Sequence, residues 1–213
     1  MDNIVLLVIC VLLLIMTYII AEGAFSGVSD FDYNSDLNVR QSVISAAAIT
    51  NPTSKDFAYG MWLNVNKLQA TNMIFHRQHE MKMMIDGGSM KIKVRNLDYN
   101  LINYYPLHKW VYLIVNVGYN EKLSVSIIDF YIDGKMVKSI QINPYINPVK
   151  TEPITLGTLD AKMIDFKRWT YKLSPQMILD EYNNSTMKKY LGGYKINIDI
   201  LKNDVMAKKI SLV

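Results

Sequence analysis

Paired carboxylates are the first chemistry to look for in this chain. A retaining glycosidase needs two carboxyl groups roughly 5 Å apart on one face, one as nucleophile and one as an acid of raised pKa. The nearest pairs are Asp180-Glu181 and Asp129 with Asp133. The first lies where a helix is predicted, and Asp133 is claimed by an Asp-Gly turn, so hydrolysis is not favoured. His76 and His79 (HRQH) suggest a metal, but residues three apart on a strand point to opposite faces, and no cysteine or acidic pair completes a ligand set. They read as exposed loop histidines. Asp30, Asp32, Asn34 and Asp36 alternate like a loop calcium site but lack the Gly and Glu that complete an EF-hand. A solvated acidic tether is the favoured reading, and calcium is the one cofactor the sequence raises. The remaining candidates are aromatic and amide side chains: Tyr99, Asn100, Asn103, Tyr104 and Tyr105, and separately Tyr145 with Asn147. Tyr and Asn at a loop rim suit glycans, protein partners or burial, and protein recognition carries the most weight.

The elements that must hold these residues read as strands. Val111, Leu113, Val115 and Val117 recur every second residue after Trp110, which places all four on one face of an extended chain. Ser126 to Ile132 follows, then Asp133-Gly134 and a returning strand from Met136 to Ile140. Asp-Gly between such runs is a hairpin signal. Asp86-Gly87-Gly88-Ser89 joins Met81–Ile85 to Met90–Val94 in the same way. Phe57–Val65, Met73–Arg77, Pro153–Gly157, Met163–Tyr171, Tyr194–Ile200 and Val205–Val213 are further strands, and Ser42–Ile49 is a candidate first one. Ser174-Pro175 starts the single predicted soluble helix, with Ser as N-cap and Pro at the first helical position. Trp62, Trp110 and Trp169, with Met81, Met83, Met84 and Met90, are expected in the core or on a sheet face. About ten short strands and one helix predict an antiparallel β-sandwich or jelly roll over residues 55–213.

The N-terminal stretch differs. Ile4 to Ile20 is an apolar run of 17 residues broken only by Thr17 and Tyr18. At about 1.5 Å per residue it reaches roughly 25 Å, enough for a thin bilayer. Ala21 and Gly23 would suit signal-peptide cleavage, but no Lys or Arg precedes the run and it is long for a signal core. A retained transmembrane anchor is therefore expected over residues 1–23, with Ile4, Leu7, Leu14 and Ile20 as its anchoring residues. Residues 24–54 are expected to form a polar tether with a possible first strand. Orientation is open, and so is glycosylation of the tandem sequons at Asn183 and Asn184.

Charge is uneven. Of 23 basic and 19 acidic residues, residues 1–54 hold only Arg40 against Asp2, Glu22, Asp30, Asp32 and Asp36, leaving 22 basic against 14 acidic beyond them. The lysines fall singly on strand positions, so a solvated surface is expected, and no nucleic-acid motif accompanies them. The single cysteine, Cys10, lies in the apolar run, so the domain carries no disulfide or thiolate metal site.

Taken in order, the Trp110 strand, FYIDGKMVKS (130–139), ITLG (154–157), FKRW (166–169) and LSPQMILDEY (173–182) resemble the laminin-G-like branch of the concanavalin A-like lectin/glucanase superfamily. The match runs from Phe57 to Tyr182. The glucanase string E-x-D-x-x-E is absent, so the resemblance implies a non-enzymatic sandwich. An apolar segment directly before such a domain resembles membrane-anchored proteins of large nucleocytoplasmic DNA viruses. This implies a minor capsid role: a single-pass protein in the virion inner membrane, derived from host endoplasmic reticulum, tethering that membrane to other capsid proteins. The alternative is an anchored lectin whose contacts to glycans come from Tyr99, Asn103, Tyr104, Tyr105 and Tyr145.

Overall fold

The computed structural model describes residues 11–14, 32–37, 41–68, 72–185 and 187, with the backbone of 196–202 and 205–212. Its strands are β1 (Asp32–Asp36), β2 (Ser42–Ile44), β3 (Phe57–Lys67), β4 (Met73–Arg77), β5 (Met81–Asp86), β6 (Ser89–Val94), β7 (Leu97–Ile102), β8 (Trp110–Asn120), β9 (Val125–Ile132), β10 (Lys135–Ile142), β11 (Ile154–Leu156), β12 (Asp160–Trp169), β13 (Ile196–Lys202) and β14 (Val205–Leu212). One helix, α1 (Pro175–Asn184), follows β12. The first sheet has the order β1-β12-β3-β8-β9-β10 and the second β2-β11-β4-β5-β6-β7, with every pairing antiparallel. Strands β13 and β14 pair with each other.

The inner faces meet in one core. Val111, Leu113, Val115 and Val117 all enter it, as their spacing predicts, opposite Met83, Met90 and Ile92 of the second sheet. Tyr59, Phe75 and Phe166 form its aromatic centre, with Tyr59 and Phe75 rings 4.8 Å apart. Such offset and edge contacts stabilise aromatic pairs beyond the area they bury. Met84, expected with the other methionines, is half-buried. Both predicted hairpins form with two consecutive positive φ values, 49° and 78° at Asp133-Gly134 and 57° and 81° at Gly87-Gly88. That is the turn whose twist matches paired strands.

A second core lies on the outer face of the first sheet. Ala58, Trp62, Tyr112, Ile114 and Trp169 are covered there by Leu173, Ile178 and the half-buried Met177 and Tyr182. Trp62 and Trp169 are thus buried between sheet and helix rather than between sheets, and Trp110 is only half-buried against them. The Ser174 hydroxyl accepts from Met177 N at 3.2 Å, the expected N-cap bond, and Pro175 opens the helix. Asn116 fixes the approach to α1: its amide donates to Leu173 O and accepts from Leu173 N, both at 2.9 Å.

Two segments within residues 24–54, expected as a polar tether with a possible first strand, are strands. Residues 32–36 form an edge strand on β12, and residues 42–44 form the edge strand of the other sheet on β11. Alternation there is too short and too polar to show as a strand, but the neighbouring edges supply backbone partners. The expected strand Ser42–Ile49 stops at Ile44 and continues as a 3-10 turn, Ala46–Ala48, capped by Ser45. Of the expected anchor only residues 11–14 are described; they are helical, and Leu14 is exposed. Ile4, Leu7 and Ile20 lie outside the described residues. Among the described residues no helix is long and apolar enough to cross a membrane.

Candidate functional site

The Tyr-Asn cluster lies on strand β7 and the loop after it, at the free edge of the second sheet, where a loop rim is expected from sequence. Asn100 Nδ2 donates to Asn103 Oδ1 at 3.4 Å, and Ser89 Oγ donates to Asn103 O at 3.0 Å. Tyr104 is 77% exposed, while Tyr99 is half-buried and packs on the core. Tyr105 departs from its expected role as a contact residue. It is 1% exposed, and its hydroxyl donates to Leu63 O at 3.1 Å. Burial drives its phenol pKa far above the usual tyrosine range, so it stays neutral and structural.

Tyr145 belongs to a different cluster. Its ring meets Tyr119 edge-on at 4.8 Å, and Lys55 Nζ lies over both rings at 4.5 and 4.3 Å. Arg95 Nη2 donates to Tyr145 O at 2.8 Å.

The carboxylates weighed for catalysis have structural partners. Asp129 accepts from Ser139 Oγ at 2.6 Å and pairs with Lys172 at 2.8 Å. Asp133 accepts from Tyr112 N at 2.9 Å within its turn. Asp180 accepts from Gln176 at 2.8 Å, and Glu181 faces Lys167 at 3.7 Å. Burial raises the Glu181 pKa, opposed by Lys167. In the acidic stretch, Asn34 Oδ1 accepts from Asp165 N at 2.9 Å. Among the described residues no three His, Cys, Asp or Glu side chains converge on one point as a metal site requires.

Two features were not legible beforehand. The first is a buried ion pair, Arg77 with Glu80, closed by the Tyr59 hydroxyl donating to Glu80 Oε2 at 2.6 Å. Arg77 also donates to the carbonyls of Pro52, Val149 and Glu152 at 3.0, 3.0 and 3.2 Å. It fastens the loop before β11 to the sheet, a role no local pattern announces.

The second is a basic row across the outer face of the second sheet. Register places His76 opposite Lys82, Lys82 opposite Lys93, and Lys93 opposite Asp98. A cleft of about 540 Å³ opens beside it, bordered by Gln78, His79, Arg95 and Asn96. Desolvation, then the Lys82 charge, lowers the His76 pKa, with Glu152 opposing. His79 Nδ1 lies 3.6 Å from Glu152. In sequence these lysines are isolated, and only strand register assembles them.

No protein-family model matches the chain, and no curated protein matches it. Solved structures do. The binding domain of botulinum neurotoxin DC in complex with rat synaptotagmin II aligns with TM-score 0.54 and 16% identity, over 72% of this chain and 42% of that one. The botulinum neurotoxin serotype D ligand-binding domain in complex with N-acetylneuraminic acid gives 0.55 and 17%, over 72% and 42%. The receptor-binding domain of botulinum neurotoxin D gives 0.55 and 15%, over 71% and 43%. This chain therefore spans about two-fifths of those domains. At such identity the likeness shows the fold alone: an antiparallel β-sandwich.

Proposed function

We propose that this chain is a non-enzymatic, membrane-anchored recognition protein whose β-sandwich is the binding head. The observation that carries this reading is the contrast between engaged and free polar groups. The carboxylates that glycosidase chemistry would use are committed to turns, lysines or hydroxyls. Tyr104, by contrast, stands exposed beside the Asn100–Asn103 pair. An exposed ring flanked by amides is a contact surface for a macromolecule.

The setting implied by the sequence resemblance is a large DNA virus, in which the apolar segment over residues 4–20 holds the protein in the virion inner membrane. The sandwich then links that membrane to the overlying shell as a minor capsid component. Many copies in a lattice make weak single contacts sufficient, because each bound head raises the effective concentration of the next.

A second reading, an anchored lectin, is favoured by the structural neighbours, one of them solved with N-acetylneuraminic acid and others described as receptor-binding domains. A glycan array probed with the detergent-solubilised chain, wild type and Tyr104→Ala, separates the two. Specific binding lost in the variant makes the protein a lectin. Silence from the folded chain, with cross-linking of Tyr104 variants to shell protein in assembled particles, supports the tether. Silence in both assays overturns the recognition-head reading.

A further inference from the structure

The outer face of the second sheet is built with a charge imbalance that the fold itself does not resolve. Lys82 stands between His76 and Lys93 on adjacent strands, which lie about 4.8 Å apart. Like charges directly opposite on a sheet destabilise it. Nearby acids do little to offset them. Glu80 is turned inward and bound by Arg77 and Tyr59. Glu152 leans toward His79, and Asp98 reaches Lys93 only at 3.9 Å, with both side chains substantially exposed. Lys91, one register row away, is by contrast neutralised by Asp86 at 2.6 Å. Lys82 has no ion-pair or hydrogen-bond partner among the described residues.

The cleft at the end of this row identifies the missing partner. Its border is polar and rich in donors: Gln78 and Asn96 amides, the His79 imidazole and the Arg95 guanidinium. Met81 is its one apolar lining residue, and Met81 is buried. A protein interface would ask for an apolar or aromatic centre, which this surface lacks. The volume, about 540 Å³, is in the range of pockets that take small molecules or a few sugar units. The surface is open along the row, so a linear ligand can continue past the cleft.

We propose that this face is a binding site for an acidic glycan, with Lys82 and Lys93 meeting its carboxylate or sulfate groups and Gln78, His79, Arg95 and Asn96 taking sugar hydroxyls. The site rests on the glycan-binding reading of the sandwich and places it away from the Tyr104 edge.

The test is affinity of the detergent-solubilised 213-residue chain for four probes: a heparin-derived octasaccharide, a hyaluronate octasaccharide, a neutral chitin oligosaccharide, and vesicles of phosphatidylserine and phosphatidylcholine. One or both acidic oligosaccharides bind, and the two arms tell sulfate from carboxylate. Lys82→Ala with Lys93→Ala weakens that binding about tenfold or more, since each removes a charge-assisted contact. Lys82→Arg with Lys93→Arg retains it. Lys135→Ala with Lys138→Ala, which removes equal charge from exposed positions on β10, leaves it unchanged. Equal loss in the β10 variant reduces the effect to net charge and overturns the site. So does preference for the vesicles. Neutral-glycan binding sensitive to Tyr104→Ala, with no acidic-glycan binding, overturns this site and keeps the lectin reading. No binding to any glycan overturns both.

Discussion

On the outer face of the first sheet, Trp62, Tyr112 and Trp169 are roofed by α1; on the outer face of the second, Lys82 and Lys93 face water. The two sheets share one inner core, yet their backs are built on opposite rules. The first is an aromatic layer in which rings pack on one another, Trp62 against Tyr112 at 5.2 Å and against Tyr182 at 5.8 Å. The second carries a cross-strand row of like charges. Burial makes the first face a stability determinant, and exposure frees the second for contact. Substitutions on the two faces should therefore report on different properties.

The largest effect is expected at Trp169→Ala. Deleting a fully buried indole leaves a cavity and should cost about 3–5 kcal/mol, read as a lower urea midpoint at unchanged slope. Gly60→Ala attacks the same layer by overfilling it. A Cβ there would stand 2.8 Å from Trp169 Cη2 and Cζ3, which cannot retreat, so a loss of about 1–3 kcal/mol is expected in the same denaturation assay. Ser174→Ala removes the cap of the roofing helix and should cost about 1 kcal/mol, with faster amide exchange in the first turn of α1.

Smaller effects are expected on the other face. The His76 pKa is lowered from 6.5 by desolvation and by Lys82 on β5, against Glu152 from the loop before β11. The unfolded chain therefore binds this proton more readily than the folded one. The associated stability is complete above pH 6.5 and is lost as pH falls through the folded-state value. Urea midpoints compared at pH 7.5 and 5.5 should show a smaller drop for His76→Gln than for wild type. Lys82→Ala should shift stability least, within about 0.5 kcal/mol, and toward greater stability because it relieves repulsion. A Lys82→Ala loss as large as that of Trp169→Ala would erase the distinction between the faces.

The sequence carried most of the inner architecture because buried strands declare themselves by alternation. Val111 to Val117, the Asp133-Gly134 and Gly87-Gly88 turns and the Ser174-Pro175 helix start all act over a few residues, and each local rule agrees with the global fold. The short edge strands β1 and β2 lack that signature. Their pairing depends on backbone groups offered by distant segments, 131 residues away in the contact between Asn34 and Asp165. The candidate sites were legible only in part for the same reason. Tyr104 is exposed as a contact residue must be, but Tyr105, its neighbour, points inward to Leu63. Nothing in the pair Tyr-Tyr says which ring turns in. Lys82 faces Lys93 through the register of the β5–β6 hairpin, which the Gly87-Gly88 turn fixes.

The crossing between β1 and β2 has a mechanical consequence. Asp32–Asp36 pairs with β12 of the first sheet; Leu37 then donates its N–H to Ala161 O at 2.9 Å and buries its side chain; Ser42–Ile44 pairs with β11 of the second. A pull arriving from the N-terminal side therefore meets an edge of one layer, a buried pin, and then an edge of the other. Tension is divided between the two layers before it reaches the central strands, so the two edges can be strained while the surfaces on β5, β6 and β7 keep their shape.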